Sequence, residues 1–266
     1  MSRLRTALIC HHDAPIHRDG IARWLASWSD LSAIVVVQEP PTVVRRRVRR
    51  ELQRVGLLRF LDVLAGRLFF RLFNAARDHA FLAGRLAALQ RAHAPVAAGV
   101  PVVTVATPNN AESQAVLERA QPDVIIALCK NMLATRIFRT ARVGTFVLHP
   151  GICPEYRNAH GCFWALAHDD LARVGMTMLM IDEGVDTGPI YGYFGCEFDE
   201  VNESHIVIQH RMVLDNLDAI AERLREVATR QAQPIDVGDR RSGSWGQPWL
   251  SSYLRWKRRA RARRGA

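Results

Sequence analysis

The sequence predicts an α/β protein organised around a parallel, doubly wound sheet, and three observations carry that expectation. Short runs rich in β-branched residues alternate with stretches of helical period over most of the 266 residues. Runs such as Leu31–Val37 are apolar almost throughout, as suits strands buried on both faces. No internal repeat or low-complexity linker divides the chain, and its length can bury one sizeable core without a covalent staple.

The elements follow in order. Leu4–Cys10 reads as a strand, Ile16–Trp28 as a helix and Leu31–Val37 as the second strand. Residues 41–94 hold twelve arginines and three acids. Within them Leu57, Leu58, Leu61, Leu64, Leu68 and Leu72 recur at three- and four-residue steps, predicting one or two amphipathic helices. That basic helical insertion is expected to pack its leucine stripe on the body and turn its arginines outward, because guanidinium groups are not buried unpaired. Gly99 and Pro101 end it. Then come a strand at Val102–Val105, a helix at Asn110–Ala120, a strand at Asp123–Leu128, a short helix at Met132–Phe138 and a strand at Gly144–His149. After a turn-rich stretch, Gly161–His168 is helical, Met176–Ile181 and Ile190–Phe198 are strands, and Asn202–Thr229 reads as one long helix. The expected division is a main domain over 1–230 and a basic C-terminal helical tail over 231–266.

The net charge of +10 is unevenly placed: residues 41–94 carry +9, residues 251–266 carry +7, and the rest of the chain carries −6. Such segregation bears on partners, here an anionic surface, and not on the fold. The insertion lacks the interleaved aromatics of a single-strand nucleic-acid reader. Five cysteines, scattered and without a C-x-x-C pair, predict reduced thiols in the cytoplasm and no metal knuckle. No charge-free apolar run approaches the ~18 residues of a membrane span, and the start shows no signal-peptide core.

In doubly wound sheets ligands bind beyond the carboxyl ends of the strands. That rule selects the loops after Cys10, Leu128 and Leu148. No glycine fingerprint for a nucleotide pyrophosphate follows any strand. His149 ends a buried strand, and the later loop IDEGVDTGPI carries Asp182, Glu183 and Asp186. A carboxylate beside a strand-end histidine can fix its tautomer and raise its proton affinity. Read as packing alone, the histidine caps a strand and the loop is a turn whose Asp and Gly satisfy backbone geometry.

The segments FVLHPGICPEYRNAHGCFWAL (146–166) and GMTMLMIDEGVDTGPIYG (175–192) resemble the catalytic domain of the folate-dependent formyltransferases, the group that acts on glycinamide ribonucleotide, methionyl-tRNA and amino-sugars. Their pattern is roughly N-x-H-P-S-x-x-P-x-Y-R-G, then G-x-T, then a loop ending D-T-G-P-I. The resemblance implies a Rossmann-like fold, 10-formyltetrahydrofolate as formyl donor, and His149 and Asp186 as the catalytic pair. It places the pterin against Asn131, Met132 and Leu133 and against Glu183, Gly184 and Val185. It implies a small primary amine as acceptor, lined by Tyr156, Arg157 and His160; a homodimer is a separate expectation, not drawn from the resemblance. The run HGCFWAL is most like the amino-sugar branch, and the last sixty residues are short for a tRNA-binding barrel. Three positions depart from the pattern: Val147 stands for its Asn, Gly151 for its Ser and Asn158 for its final Gly. Either Asn131 or Asn158 then supplies the missing oxyanion donor, or the chain binds folate or a partner with altered chemistry.

Overall fold

The computed structural model describes residues 3–265, so residues 1, 2 and 266 of the expected domain ranges lie outside the described residues. The chain enters the sheet at β1 (Arg5–His11) and turns through a π-helical stretch, Ile16–Ile21, into α1 (Ala22–Trp28). It returns parallel as β2 (Asp30–Val37). The insertion follows as α2 (Pro41–Phe69), a π-helical turn (Phe70–Asn74) and α3 (Ala75–Ala92). The alternation then resumes with β3 (Val102–Val105), α4 (Ala111–Ala120), β4 (Val124–Leu128), α5 (Thr135–Phe138) and β5 (Gly144–His149).

Among the described residues the main sheet has seven strands in the order β3-β2-β1-β4-β5-β7-β8, with β7 (Met176–Met180) and β8 (Ile190–Phe194) at the far edge. The first five are parallel; β7 is antiparallel to β5, and β8 to β7. The parallel α/β sheet expected from the sequence is present over its first five strands, with an antiparallel pair added at one edge. Strand order reverses between β1 and β4, so the topological switch point lies at the ends of those two strands.

Both faces of the sheet are covered. On one, Leu8, Cys10, Val36 and Phe146 pack with Trp24, Phe163, Ile208, Leu224 and Trp256. On the other, Ala7, Ile9, Val35 and Ile125 pack with Val116, Leu117 and Ile137. Alternate residues of one strand therefore feed two cores, which is why β1 and β2 are buried at nearly every position and carry unbroken apolar runs at Ala7–Cys10 and Ala33–Val37.

Two expectations are corrected. The long helix over Asn202–Thr229 is two helices, α7 (His205–Leu214) and α8 (Leu217–Ala228). Ser204 caps the first, accepting from the Val207 backbone N–H at 3.2 Å. The leucine stripe of the insertion does not pack on the body: Leu57, Leu58, Leu61, Leu64, Leu68 and Leu72 are all exposed. The opposite side of α2 meets the body, through Val63, which is buried, and Gly66, which lies against the backbone of Leu250. That contact comes from α9 (Leu250–Gly265), which wedges between α2 and α6 (Gly161–His168) and claims the inner side of the insertion. Among the described residues no helix is long and apolar enough to cross a membrane.

Candidate active site

His149 is the last residue of β5, at the carboxyl edge of the sheet, and only 5% of it is exposed. Pro150 and Gly151 turn the chain away from the strand. The backbone then loops back, so that the Tyr156 carbonyl accepts a 2.7 Å hydrogen bond from His149 Nε2. That bond requires the proton on Nε2 and leaves Nδ1 free to face another group. Nδ1 lies 3.5 Å from Asp186 Oδ2.

Asp186 sits in the loop between β7 and β8 in a left-handed conformation, φ 51°. The loop is held by Asp182, which accepts from the Gly184 N–H at 2.9 Å and from the Thr187 hydroxyl at 2.8 Å. Asp186 Oδ2 also accepts from the Asn158 backbone N–H at 2.7 Å. Arg157 donates to the Val185 carbonyl at 2.9 Å. The loop after β5 and the loop after β7 thus grip one another at Arg157 and Asn158, and this brings His149 and Asp186 together.

A third segment, distant in sequence, fixes that grip. Arg157–Asn158 forms β6, which pairs in parallel with β9 (Ser244–Trp245). The Asn158 side chain donates to the Trp245 carbonyl at 2.6 Å, and the Trp245 indole donates to the Glu155 carbonyl at 2.8 Å. Arg240 forks onto both Glu155 oxygens at 2.8 and 2.6 Å. These supports were absent from the sequence reading, and only the lone Trp-Gly and Ser-Gly signals of the tail hinted at an ordered segment there.

The other positions singled out by sequence fall in distinct places. Tyr156 is buried, and its hydroxyl donates to Asp170 at 2.9 Å. Burial, with the Asp170 carboxylate beside it, raises its pKa. Its backbone carbonyl, rather than its ring, meets the candidate catalytic residue. His160 contacts Gln209 through Nδ1 at 3.2 Å and packs edge-on to His205, and burial pushes its pKa down to about 4. Glu183, Gly184 and Val185 are exposed at the loop tip.

Asn131, Met132 and Leu133 follow β4 at the switch point. Asn131 donates through Nδ2 to Glu39 at 2.8 Å, and Glu39 in turn receives both arms of Arg47 at 2.6 Å. Asn131 Oδ1 is buried without a hydrogen-bond partner. Met132 is exposed and Leu133 buried. His11, at the end of β1, accepts from the Lys130 N–H at 2.9 Å. Burial, with the Lys130 charge second, pushes its pKa down. Glu39, Arg47 and His11 went unnoticed in the sequence, although the CHHD run at a strand end was a usable signal for His11.

Val147 lies two residues before His149 on the same strand face. It packs against Cys153, Leu179 and Ile190 and offers no polar atom. A concavity of about 470 Å³ lies at the opposite, amino edge of the sheet, where Arg5 and Asp30 pair, as do Arg142 and Asp123. It is remote from His149 by strand polarity.

A family model described as formyl transferase matches residues 78–224. A methionyl-tRNA formyltransferase of Chlorobium chlorochromatii is 28% identical over 147 residues, covering 55% of this chain and 46% of that protein. The chain matches less than half the length of such curated relatives. Among solved structures, a phosphoribosylglycinamide formyltransferase from Anaplasma phagocytophilum superposes with a TM-score of 0.54 at 11% identity, over 91% of this chain and 98% of that one. A sugar N-formyltransferase from a Shewanella species gives 0.53 at 12% identity, over 91% and 76%. These two show a shared fold.

Proposed function

The chain belongs to the formyltransferase family, and from that premise we propose that it moves a formyl group from 10-formyltetrahydrofolate to a primary amine of a small molecule, an amino-sugar or a biosynthetic intermediate. The observation that carries the reading is the His149–Asp186 pair. One ring nitrogen is pinned by a backbone carbonyl, and the other faces a carboxylate that a backbone N–H orients.

In this reading Asp186 takes the proton from the attacking amine. Protonated His149 donates through Nδ1 to the oxygen on which charge develops, while Nε2 stays bound to Tyr156 and keeps the ring from turning. The folate donor would supply an activated formyl carbon and a nitrogen leaving group, which takes up the proton that Asp186 removes from the amine. Asn131 fits a role in holding it, since Oδ1 is a buried acceptor without a protein partner and the pterin edge carries N–H donors. Arg157, which stitches the two loops, and His160, kept neutral by its surroundings, border the acceptor side. The five free cysteines agree with a reducing, cytoplasmic setting.

A second reading is a formyltransferase-like protein that binds folate or a partner with altered or absent transfer, and Val147 favours it because no side-chain donor precedes His149. One assay separates them. The purified protein is mixed with 10-formyltetrahydrofolate and amines including amino-sugars, and release of tetrahydrofolate is followed. Turnover with any amine that disappears in His149→Ala supports transfer. Folate binding by calorimetry, with no turnover on any amine and no loss in His149→Ala, would retire it.

A further inference from the structure

The second half of α2 carries an apolar face that nothing in the described chain covers. Gly56, at φ 76°, interrupts the helix. Beyond it Leu57, Leu58, Leu61, Leu64, Leu68 and Leu72 are 41–83% exposed. At 3.6 residues per turn the five from Leu57 to Leu68 share about one third of the helix circumference, and Leu72 follows them in the π-helical turn. The orientation is fixed by the other side of the same helix. Arg59 lies over the Trp249 ring at 4.3 Å, Asp62 accepts from the Ser251 N–H at 3.0 Å, and Val63 is buried. The leucines therefore point outward because α9 holds the inner face.

The charge around the stripe says what can cover it. The insertion carries +9, and the segment containing α9, packed alongside, carries +7. The three acids of the insertion are engaged: Glu51 by Arg54, Asp62 by Ser251 and Asp78, which is buried, by Ser204. A second copy laid on this face would set one arginine-rich rim against another without free carboxylates from the insertion to offset it. Arg67 and Arg71 are exposed beside the leucines, and Arg45, Arg46, Arg49 and Arg50 are exposed on the half of α2 that precedes Gly56. A leucine face bordered by arginines suits a helix that lies flat in a bilayer interface, with aliphatic groups among acyl chains and guanidinium groups among phosphates.

We propose that the exposed leucine face of α2, Leu57–Leu68, with Leu72 of the turn that follows, docks the protein peripherally onto an anionic lipid surface. The inference is independent of the transfer chemistry, and its test does not read activity.

The full-length protein is floated with vesicles of phosphatidylcholine alone and of phosphatidylcholine with phosphatidylglycerol. It should partition to the anionic vesicles only, and high salt should weaken that binding. The triple variant Leu58→Ser, Leu61→Ser, Leu68→Ser should lose at least about tenfold in partitioning, since each leucine contributes through its own buried area. These side chains are already exposed, so thermal unfolding should be unchanged in the variant. As a second readout, Leu64→Cys carries an environment-sensitive fluorophore, which should shift to the blue on anionic vesicles and not on duplex DNA. The proposal is overturned if the triple variant binds anionic vesicles as well as the parent, or if the label keeps its aqueous spectrum on them. It is equally overturned if sedimentation shows a stable dimer that the triple variant dissociates, which would assign the face to a second copy.

Discussion

Gly151 and Gly161 pack backbone to backbone: a Cβ on Gly161 would stand 2.5 Å from the Cα of Gly151, and one on Gly151 would stand 2.7 Å from the Cα of Gly161. The same Cβ on Gly151 would meet the Tyr156 carbonyl at 2.6 Å and His149 Nε2 at 2.7 Å, the two partners of the bond that orients the imidazole. The serine of the related pattern therefore does not fit this backbone. Gly151→Ser should unseat the Tyr156 carbonyl, free the His149 ring, and lower any transfer rate by more than its effect on thermal stability explains. Paired rate and melting measurements check this, and a variant with the parent's rate would show that the carbonyl does not position the ring.

His149→Ala and Asp186→Asn should each lower kcat by about two to four orders of magnitude, the usual range for a group acting in proton transfer. Asp186→Asn keeps an oxygen for the Asn158 N–H, so its melting temperature should stay near that of the parent. Steady-state kinetics on an accepted amine decides the matter, and a loss confined to KM would remove both residues from the chemical step.

Val147→Asn places an amide two residues before His149 but sets it against Cys153, Leu179 and Ile190. An amide without partners there should cost about 1–3 kcal/mol of stability, measured by urea unfolding. The rate should rise if His149 lacks a helper. It should stay flat or fall if Asn131 or Asn158 already supplies the donor.

Arg47→Ala tests whether the insertion reaches the candidate folate loop. Removing both arms from Glu39 leaves that carboxylate with Asn131 as its remaining side-chain partner, and should loosen the loop after β4. KM for the formyl donor should rise several-fold with kcat little changed. An unchanged KM would separate the Arg47–Glu39–Asn131 chain from donor binding.

The buried histidines make stability depend on acid. Burial pushes His160 and His210 down to about 4 and His17, with His210 beside it, to about 3. Each folded value lies below the roughly 6.5 of an unfolded chain, so the unfolded state binds more protons between the two. The contribution of these histidines should be level above neutral pH and fall as pH drops from about 6.5 towards 4, by up to about 1.4 kcal/mol per pH unit for each ring. Urea midpoints at pH 7 and pH 5 measure it, and equal midpoints would mean that these rings are not kept neutral.

Read alone, the sequence was sufficient for the strand series around His149. The middle of β1 (Ala7–Cys10), most of β2, all of β4 and Phe146–Leu148 of β5 are unbroken apolar runs because each strand feeds two cores, and that pattern survives in one dimension. The two loops bearing His149 and Asp186 were also legible, since their Pro, Gly and Asp residues mark turns whatever lies around them. What the sequence could not convey was which surfaces meet. Helical period shows that Leu57 and Leu68 share a face, but not whether that face looks inward, because the answer belongs to α9, nearly two hundred residues on. The split between α7 and α8 at Asp215 and Asn216 likewise has no proline or glycine to announce it. The 3.5 Å approach of His149 and Asp186 depends on Asn158 being held by Trp245, and on Glu155 being held by Arg240. Those bonds join residues about ninety positions apart. Local propensity carries no record of them, and only the folded chain brings their partners within reach.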